Sequence, residues 1–200
     1  MQLCAIQMSS NTSVEDNIAD IELQLASLEQ AQQQLVLLPE CCLFFGGKDK
    51  EQLALALENQ ATDELKGRLG KLASKYNVFL VAGSIPVLSD QQEKFTNSCF
   101  VFSPEGKELG GYDKIHLFDV AVQDSERNYL ESRYAKAGDH ISVVKVNGIN
   151  VGLTICYDLR FPELFRQLCQ QGGKNNYRTQ RFYPRNRCRA LANFIAGASN

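Results

Sequence analysis

The stretch that decides the fold and the chemistry is Val151–Glu163, which reads VGLTICYDLRFPE. The apolar run Val151–Ile155 is typical of a buried strand, and Pro162 suits the first turn of a helix. Cys156 lies between the two, in a position that resembles a nucleophile elbow, where a tight turn presents the side chain and nearby amides accept negative charge. A buried structural cysteine is the alternative, because free cysteine is among the most buried residue types. The position of Cys156 alone favours neither interpretation.

A second candidate residue is Glu40, which follows the apolar run Leu35–Leu38 and Pro39. A continuous apolar run halted by proline is typical of a strand covered on both faces. A carboxylate at the carboxyl end of such a strand lies where open α/β sheets place their sites, and it suits general-base chemistry. The alternative is an ordinary polar residue that ends a strand.

A third candidate residue is Lys114, in the segment Gly111–Phe118, which reads GYDKIHLF. A lysine among aromatic and aliphatic neighbours is suited to act as a fixed cation beside a developing oxyanion. The alternatives are a pair with the adjacent Asp113 or a solvated surface position, where an ion pair contributes little.

The three segments together supply the three roles that amide hydrolysis by a thiol requires. Cys156 would attack the carbonyl, Glu40 would remove the thiol proton and later deliver it to departing ammonia, and Lys114 would balance the charge of the tetrahedral oxygen. The competing Cys–His arrangement has two candidate histidines, His116 and His140. Because His140 falls in a predicted turn, the sequence favours the arrangement without histidine.

The segments LPE, YDKxHLF and ICYDxRFPE resemble, in the same order, the three signature segments of the nitrilase superfamily. The resemblance extends from Gln2 to about Gly172. It implies an α-β-β-α sandwich with a Glu-Lys-Cys triad, which Glu40, Lys114 and Cys156 match. Glu131, within YLESRY, matches a further glutamate that positions the lysine in relatives.

The resemblance also implies an activity and a substrate class. Members of the superfamily hydrolyse a small linear amide through a cysteine thioester, without a metal or organic cofactor, and often form homo-oligomers. The segments HLFDV and GDHISVV resemble the branch that hydrolyses glutathione that has lost its amino group. A hypothesis of another class is a non-catalytic remnant or binding protein that keeps the family surface without turnover.

Composition limits the class of protein. The chain has 200 residues, 44% hydrophobic and 22% charged, which is typical of a globular domain with a sizeable core. The sequence contains no apolar run of membrane-spanning length and no secretory segment at its N-terminus, which predicts a cytoplasmic protein without membrane contacts. Seven cysteines without CxxC pairs indicate reduced thiols and argue against a disulfide framework or a structural zinc site.

The patterning predicts an α/β layered domain with a mixed sheet. The predicted helices run from a Ser13 N-cap to about Gln34, over Asp49–Tyr76 and over Phe161–Gln171; the predicted strands are Leu3–Met8, Leu35–Leu38, Val78–Ser84, Thr96–Ser103, Glu108–Tyr112, Ile141–Val146 and Val151–Ile155.

The last stretch of the chain does not fit this domain. We therefore divide the chain into an incomplete hydrolase domain, residues 1–172, and an aberrant basic tail, residues 173–200. From Lys174 onward there are six basic residues, no acidic residue and no structural period. One interpretation is a nucleic-acid-binding arm, which predicts salt-dependent binding lost on deleting residues 174–200. Because arginines alone are a weak signal, we favour a second interpretation and expect no nucleic-acid partner.

The second interpretation is a shifted reading frame. The tail begins KNNYRTQ, which codons AAA AAT AAT TAC CGT ACC CAG can encode. Moved on by one base, codons chosen in this way through Asn200 encode KIITVPSAFTRVTGAAHWQTLLQARA. That string contains the apolar strand, the PSAFT segment and the His-Trp helix that the superfamily has after its cysteine segment. We expect a frameshift near Gly173 followed by premature termination, and hence a poorly stable chain with little or no activity.

This hypothesis makes a prediction at the level of the gene. The codons from Lys174 to Asn200 should be those that keep the alternative string readable one base on, and an independent reading of the gene should find a one-base lesion near Gly173. Codons that break the alternative string, in a gene whose frame is intact, would exclude a shifted frame.

Overall fold

The computed structural model describes residues 1–29, 33–47, 49–90, 93–120, 129–172, 175–179 and 195–196. In chain order the elements are β1 (Gln2–Ala5), α1 (Val14–Ala26), β2 (Gln34–Leu37), α2 (Asp49–Asn59), α3 (Glu64–Lys75), β3 (Phe79–Val81), β4 (Ile85–Leu88), β5 (Phe95–Phe102), β6 (Glu108–Asp113), β7 (Asp119–Val120), β8 (Tyr129–Leu130), β9 (Val143–Val146), β10 (Ile149–Ile155), α4 (Pro162–Gln170), β11 (Asn175–Thr179) and β12 (Ile195–Ala196), with 3₁₀ helices at Glu131–Arg133 and Cys156–Arg160.

Six strands form the first sheet, which is mixed. β1, β2 and β3 run parallel, as expected for strands connected through helices. β5 runs antiparallel to β3, β4 and β6. The antiparallel pair of β5 and β6 confirms the predicted strands on either side of the turn Pro104–Lys107.

The second sheet follows the order β12-β11-β10-β9. β9 and β10 are antiparallel and joined through Asn147 and Gly148, whose φ angles of +47° and +78° suit the tight turn of a β-hairpin. β11 pairs in parallel with β10. The predicted hairpin is thereby confirmed.

Successive side chains of the buried strand β2 face the two different layers on either side of the first sheet. On β2, Val36 faces the helices, where it packs in one core with Ile21 of α1 and Leu69 of α3. Leu35 and Leu37 face the second sheet, in a core that they share with β10 residues. This explains why Leu35–Leu38 reads as a continuous apolar run.

Helix α4 follows the second sheet and buries Leu164 and Leu168. Pro162 occupies its first turn, as predicted. The order helix, sheet, sheet, helix confirms the predicted α/β class and the α-β-β-α arrangement.

The predicted start of the first helix is confirmed and its predicted end is wrong. The Ser13 side chain accepts a hydrogen bond from the backbone N–H of Asp16 at 3.2 Å, as an N-cap does. The helix ends at Ala26, and Gln34 belongs to β2 instead. The Gln34 side chain is buried there and donates to the carbonyl of Glu29 at 2.7 Å.

The single helix predicted over Asp49–Tyr76 is wrong, because α2 and α3 are separate. Asp63 between them adopts a left-handed conformation with φ +49°, which a continuous helix excludes. The Asn59 side chain accepts from the backbone N–H of Leu65 at 2.8 Å and so caps the new start.

The sequence does not predict strand β4 (Ile85–Leu88), because Gly83 and Pro86 favour an end to the preceding strand. Pro86 lies opposite Asn97 of β5, at the end of the sheet order. A proline is tolerated there because an edge strand leaves some N–H positions unpaired.

The tail is described only in β11 and β12. The β11 backbone pairs with Val151–Ile155 of β10, so it covers an edge of the second sheet. The rest of the predicted aberrant segment, including its arginines beyond Arg178, lies outside the described residues. Among the helices that are described, none combines the length and apolarity needed to cross a membrane.

Gly83 makes the tight turn after β3 possible, and we expect its replacement to destabilise the fold. Its φ is +48°, and a Cβ added there would lie 1.9 Å from the carbonyl oxygen of Pro39. Gly83→Ala should lower the free energy of unfolding by at least about 2 kcal/mol, measured by urea denaturation.

The matched control is Gly67→Ala in α3, where nothing lies within 4 Å of an added Cβ. This change should raise the free energy of unfolding by about 0.5–1 kcal/mol, because alanine loses less backbone entropy in a helix. Equal effects of the two substitutions would show that the turn at Gly83 does not constrain the backbone beside Glu40.

Candidate active site

Glu40 lies in the turn that follows β2. The Leu38 N–H still pairs with the carbonyl of Val81 at 2.9 Å, and the Cys41 N–H donates to Ser84 Oγ at 2.9 Å. Cys41 has a φ of +56°, so the chain reverses immediately after Glu40. The Glu40 side chain is only 1% exposed, which places its carboxylate inside the protein rather than at a solvated strand end.

Lys114 lies immediately after β6 and points inward. Its side chain is 2% exposed, so the surface alternative is excluded. Its Nζ lies 3.0 Å from Glu40 Oε1 and 2.9 and 3.1 Å from the two carboxylate oxygens of Glu131. The neighbouring Asp113 instead accepts a hydrogen bond from Ser98 Oγ at 2.5 Å.

The charge state of Lys114 follows from these contacts. Burial lowers the pKa of Lys114, but the electrostatic influence of Glu40, Glu131 and Cys156 raises it by more, so that the pKa of Lys114 lies well above its usual value. The ammonium therefore persists at neutral pH and supplies a fixed positive charge inside the protein.

The carboxylate of Glu131 is held by a second contact in addition to Lys114. It begins a 3₁₀ helix after β8, and its Oε2 also accepts from the backbone N–H of Phe118 at 2.7 Å. The backbone N–H of Glu131 donates to the carbonyl of Phe118 at 3.3 Å. These contacts tie the segment after Lys114 to the carboxylate that binds its ammonium.

Cys156 ends β10 and begins a 3₁₀ helix with a φ of +47°. This left-handed conformation is uncommon for a residue with a side chain, and such residues cluster at functional sites. The side chain is partly exposed, unlike that of a structural core cysteine. Cys156 is close enough to Lys114 to raise its pKa, and it packs against the same core as Ile115, the residue after Lys114, so the thiol lies near the pair of Lys114 and Glu40.

The other thiols differ from Cys156. Cys42 and Cys99 are completely buried, and burial raises the pKa of each to about 12. Cys169 is exposed on α4 and Cys4 is half-buried. All six cysteines of the described residues are unlinked by disulfides.

Sequence reasoning missed the role of Asp158, although it lies two residues after Cys156. Its carboxylate is fully buried and accepts from Tyr112 OH at 2.8 Å, Ile155 N–H at 2.8 Å and His116 N–H at 3.0 Å. Burial and the Asp158 charge raise the pKa of Tyr112, which therefore stays a neutral donor. The sequence did contain a signal for this residue, because Asp158 belongs to the segment ICYDxRFPE that resembles a family signature.

Each of the two histidines bonds an aspartate. His116 Nδ1 lies 2.6 Å from Asp158 Oδ1, and its ring stacks on Phe161 with centroids 3.6 Å apart. The His140 side chain is 89% exposed and bonds the adjacent Asp139. Over the described residues, no group of three or more His, Cys, Asp or Glu side chains forms a cluster suited to a metal ion.

Asn97 was also missed. It lies on β5, and its side-chain amide donates to Glu40 Oε1 at 2.8 Å. Its only signal in the sequence is a polar residue within a strand that also contains Phe95, Cys99 and Val101.

Comparison with known proteins gives a family for this arrangement. Residues 2–190 match the family described as Carbon-nitrogen hydrolase. A Deaminated glutathione amidase of Yersinia enterocolitica is 34% identical over 170 residues, which are 84% of this chain and 58% of that protein. The Omega-amidase NIT2 of Homo sapiens is 32% identical over 172 residues, which are 86% of this chain and 60% of that protein.

Solved structures share the fold. The C. elegans NitFhit protein superposes with a TM-score of 0.77 at 30% sequence identity, over 90% of this chain and 43% of that chain. The present chain therefore spans less than two thirds of the length of these relatives. The predicted resemblance to the nitrilase superfamily is confirmed by these matches.

We expect the buried ammonium of Lys114 to stabilise the fold. Lys114→Met should lower the free energy of unfolding by about 3–5 kcal/mol, because it leaves the carboxylates of Glu40 and Glu131 facing each other without a cation. Thermal or urea denaturation measures the change. The matched control, Lys71→Met on the exposed surface of α3, should leave stability nearly unchanged. Similar stabilities of the two variants would show that Lys114 does not hold the carboxylates together.

Proposed function

Because the chain belongs to the carbon-nitrogen hydrolase family, we propose that it is an amidase that cleaves a small linear amide through a thioester at Cys156. The observation that carries the proposal is the shared ammonium of Lys114, held between Glu40 and Glu131 beside a cysteine in a left-handed turn. This arrangement offers a nucleophile, a proton carrier and a fixed cation without histidine or metal.

In the acylation step, Cys156 Sγ attacks the amide carbon while its proton passes to Glu40. The carbonyl oxygen becomes a tetrahedral oxyanion, whose charge Lys114 Nζ and the amides of the elbow balance. The carbon–nitrogen bond then breaks, and Glu40 returns the proton to the departing nitrogen. Ammonia leaves, and the acyl group remains on sulfur as a thioester.

In the second step, water attacks the thioester carbon and Glu40 removes its proton. The carbon–sulfur bond breaks, and the proton returns to Cys156 as the carboxylic acid leaves. Glu40 therefore serves twice as base and twice as acid, which requires that it stay close to the sulfur throughout. Glu131 takes no part in proton transfer and holds Lys114 in place.

Aromatic side chains next to the thiol suit a linear substrate. Tyr157 directly follows Cys156 and makes edge contacts with Phe118 at 5.1 Å and with Phe161 at 5.5 Å between ring centroids. These packed aromatic rings form a rigid apolar surface beside Cys156. Such a surface favours the methylene groups of an extended substrate over a hydrated, strongly charged group next to the thiol.

We take deaminated glutathione as the first substrate candidate. The segments HLFDV and GDHISVV support it, and the second of these is close to the site, because the Gly138 N–H donates to the carbonyl of Lys114 at 2.9 Å. The name of the Yersinia enterocolitica relative agrees with this substrate, and that of the human relative points to an ω-amide as the competitor. A homo-oligomer and a cytoplasmic location stay predictions from the sequence.

The proposal is tested by ammonia release from deaminated glutathione, with a short ω-amide such as succinamate as the competing substrate. Cys156→Ala should abolish turnover of both, because no thioester can form. Cys169→Ala, which removes an exposed thiol on α4, should retain the activity of the unchanged chain. Mass spectrometry of the quenched reaction should show an acyl adduct on Cys156.

The non-catalytic alternative predicts a different set of results. A folded chain that binds the amide, releases no ammonia and forms no adduct on Cys156 would support a binding protein or an inactive remnant. Turnover that survives Cys156→Ala would overturn the assignment of the nucleophile.

A further inference from the structure

The two carboxylate oxygens of Glu40 have different surroundings. Oε1 receives two hydrogen bonds, from Lys114 Nζ at 3.0 Å and from Asn97 Nδ2 at 2.8 Å. Oε2 is equally buried and has no hydrogen-bond partner among the described residues. A buried acceptor without a partner is costly, so this asymmetry requires an explanation.

Asn97 is bound to both catalytic segments at once. It is 5% exposed on β5, and its backbone carbonyl accepts from the N–H of Lys114 at 3.0 Å while its side chain donates to Glu40. A single residue of the first sheet thus fixes the base relative to the start of the lysine side chain. Its neighbours Thr96 and Ser98 point to the opposite face, where their hydroxyls bond each other at 2.8 Å.

Lys114 alone does not select one oxygen of Glu40. Its ammonium has three donors and is shared with both oxygens of Glu131, so rotation of the Glu40 carboxylate would replace one contact by an equivalent one. The directional amide of Asn97 removes this freedom, because it must donate to the oxygen on the β5 side.

We propose that Asn97 is a positioning residue that locks Glu40 Oε1 and thereby assigns Oε2 as the oxygen that exchanges the proton with Cys156 and the leaving nitrogen. The inference rests on the proposed amidase function. The step is a transfer of one proton: the S–H bond of Cys156 breaks as an O–H bond forms on Oε2, and the same O–H bond breaks as the nitrogen is protonated. The missing partner of Oε2 is then the reacting proton itself.

A pH dependence follows from the sign of the interaction. A hydrogen bond to the anionic carboxylate favours the anion, so loss of the Asn97 donor should make the base harder to ionise. The acid limb of kcat/KM against pH should therefore move to higher pH. The titratable groups on the elements around Glu40 are Cys41 and Cys42 in its own turn, Cys99 on β5, Lys114, Glu131 and Cys156.

The test is Asn97→Leu, which keeps similar volume and removes the donor. We expect kcat at the pH optimum to fall at least tenfold, KM to change by less than about threefold, and the acid limb to shift upward. The matched control is Thr96→Val, which removes a polar group from the opposite face of β5 and should leave kcat and the acid limb unchanged.

A second measurement keeps the inference testable without turnover. Alkylation of Cys156 by iodoacetamide, followed by peptide mass spectrometry with the exposed Cys169 as internal reference, should slow severalfold at neutral pH in Asn97→Leu and stay unchanged in Thr96→Val. If the unchanged chain turns over no amide, the proposed function fails, and the alkylation rates still decide the role of Asn97.

Two results would overturn the inference. One is an Asn97→Leu chain with the kcat, acid limb and alkylation rate of the unchanged protein. The other is a folded variant that loses activity without any shift of the acid limb, which would indicate general distortion. If Asn97→Leu does not fold, Asn97→Asp keeps the shape, places an acceptor opposite Glu40, and must show the same losses.

Discussion

The buried ammonium of Lys114 is the interaction on which the rest of the site depends. A charge that is 2% exposed is tolerated only with close partners of opposite sign, and both partners come from distant parts of the chain. Glu40 follows β2 and Glu131 begins a 3₁₀ helix after β8, so β2, β6 and the segment after β8 must meet at one point. The positive charge that would stabilise an oxyanion therefore also holds the strand ends together.

A second buried carboxylate joins the two sheets at the same end. Asp158 accepts from Tyr112 at the end of β6 and from Ile155 at the end of β10, so the lysine segment and the cysteine elbow share one anchor. The backbone segments that carry Lys114 and Cys156 are thus held together by hydrogen bonds to one buried carboxylate. Preorganisation of this kind is what electrostatic catalysis requires.

The sequence predicts those parts of the molecule that depend on burial along a single element. The apolar runs Leu35–Leu38 and Val151–Ile155 indicate central strands, and Glu40 and Cys156, which follow these runs, indicate the candidate site. Asn97 and Asp158 were missed because their partners are set by topology: Asn97 bonds a residue 57 positions away, and periodicity carries no information about that pairing. The predicted end of α1 was wrong for a related reason. Gln34 pairs with a neighbouring strand as part of β2, and this pairing overrides the helical periodicity of the sequence.

The position of β11 bears on the frameshift hypothesis. β10 is buried from Val151 to Ile155 on both faces, and a strand paired in parallel beside it is expected to be apolar. The residues of β11 read NNYRT, whereas the frame one base on reads IITVP at the same five positions. The apolar residues that the alternative frame encodes therefore suit the position of β11 better than NNYRT does. Because Glu40, Asn97, Lys114, Glu131 and Cys156 all precede this point, a frame error would leave these candidate site residues unchanged and weaken the packing behind the strand that ends at Cys156.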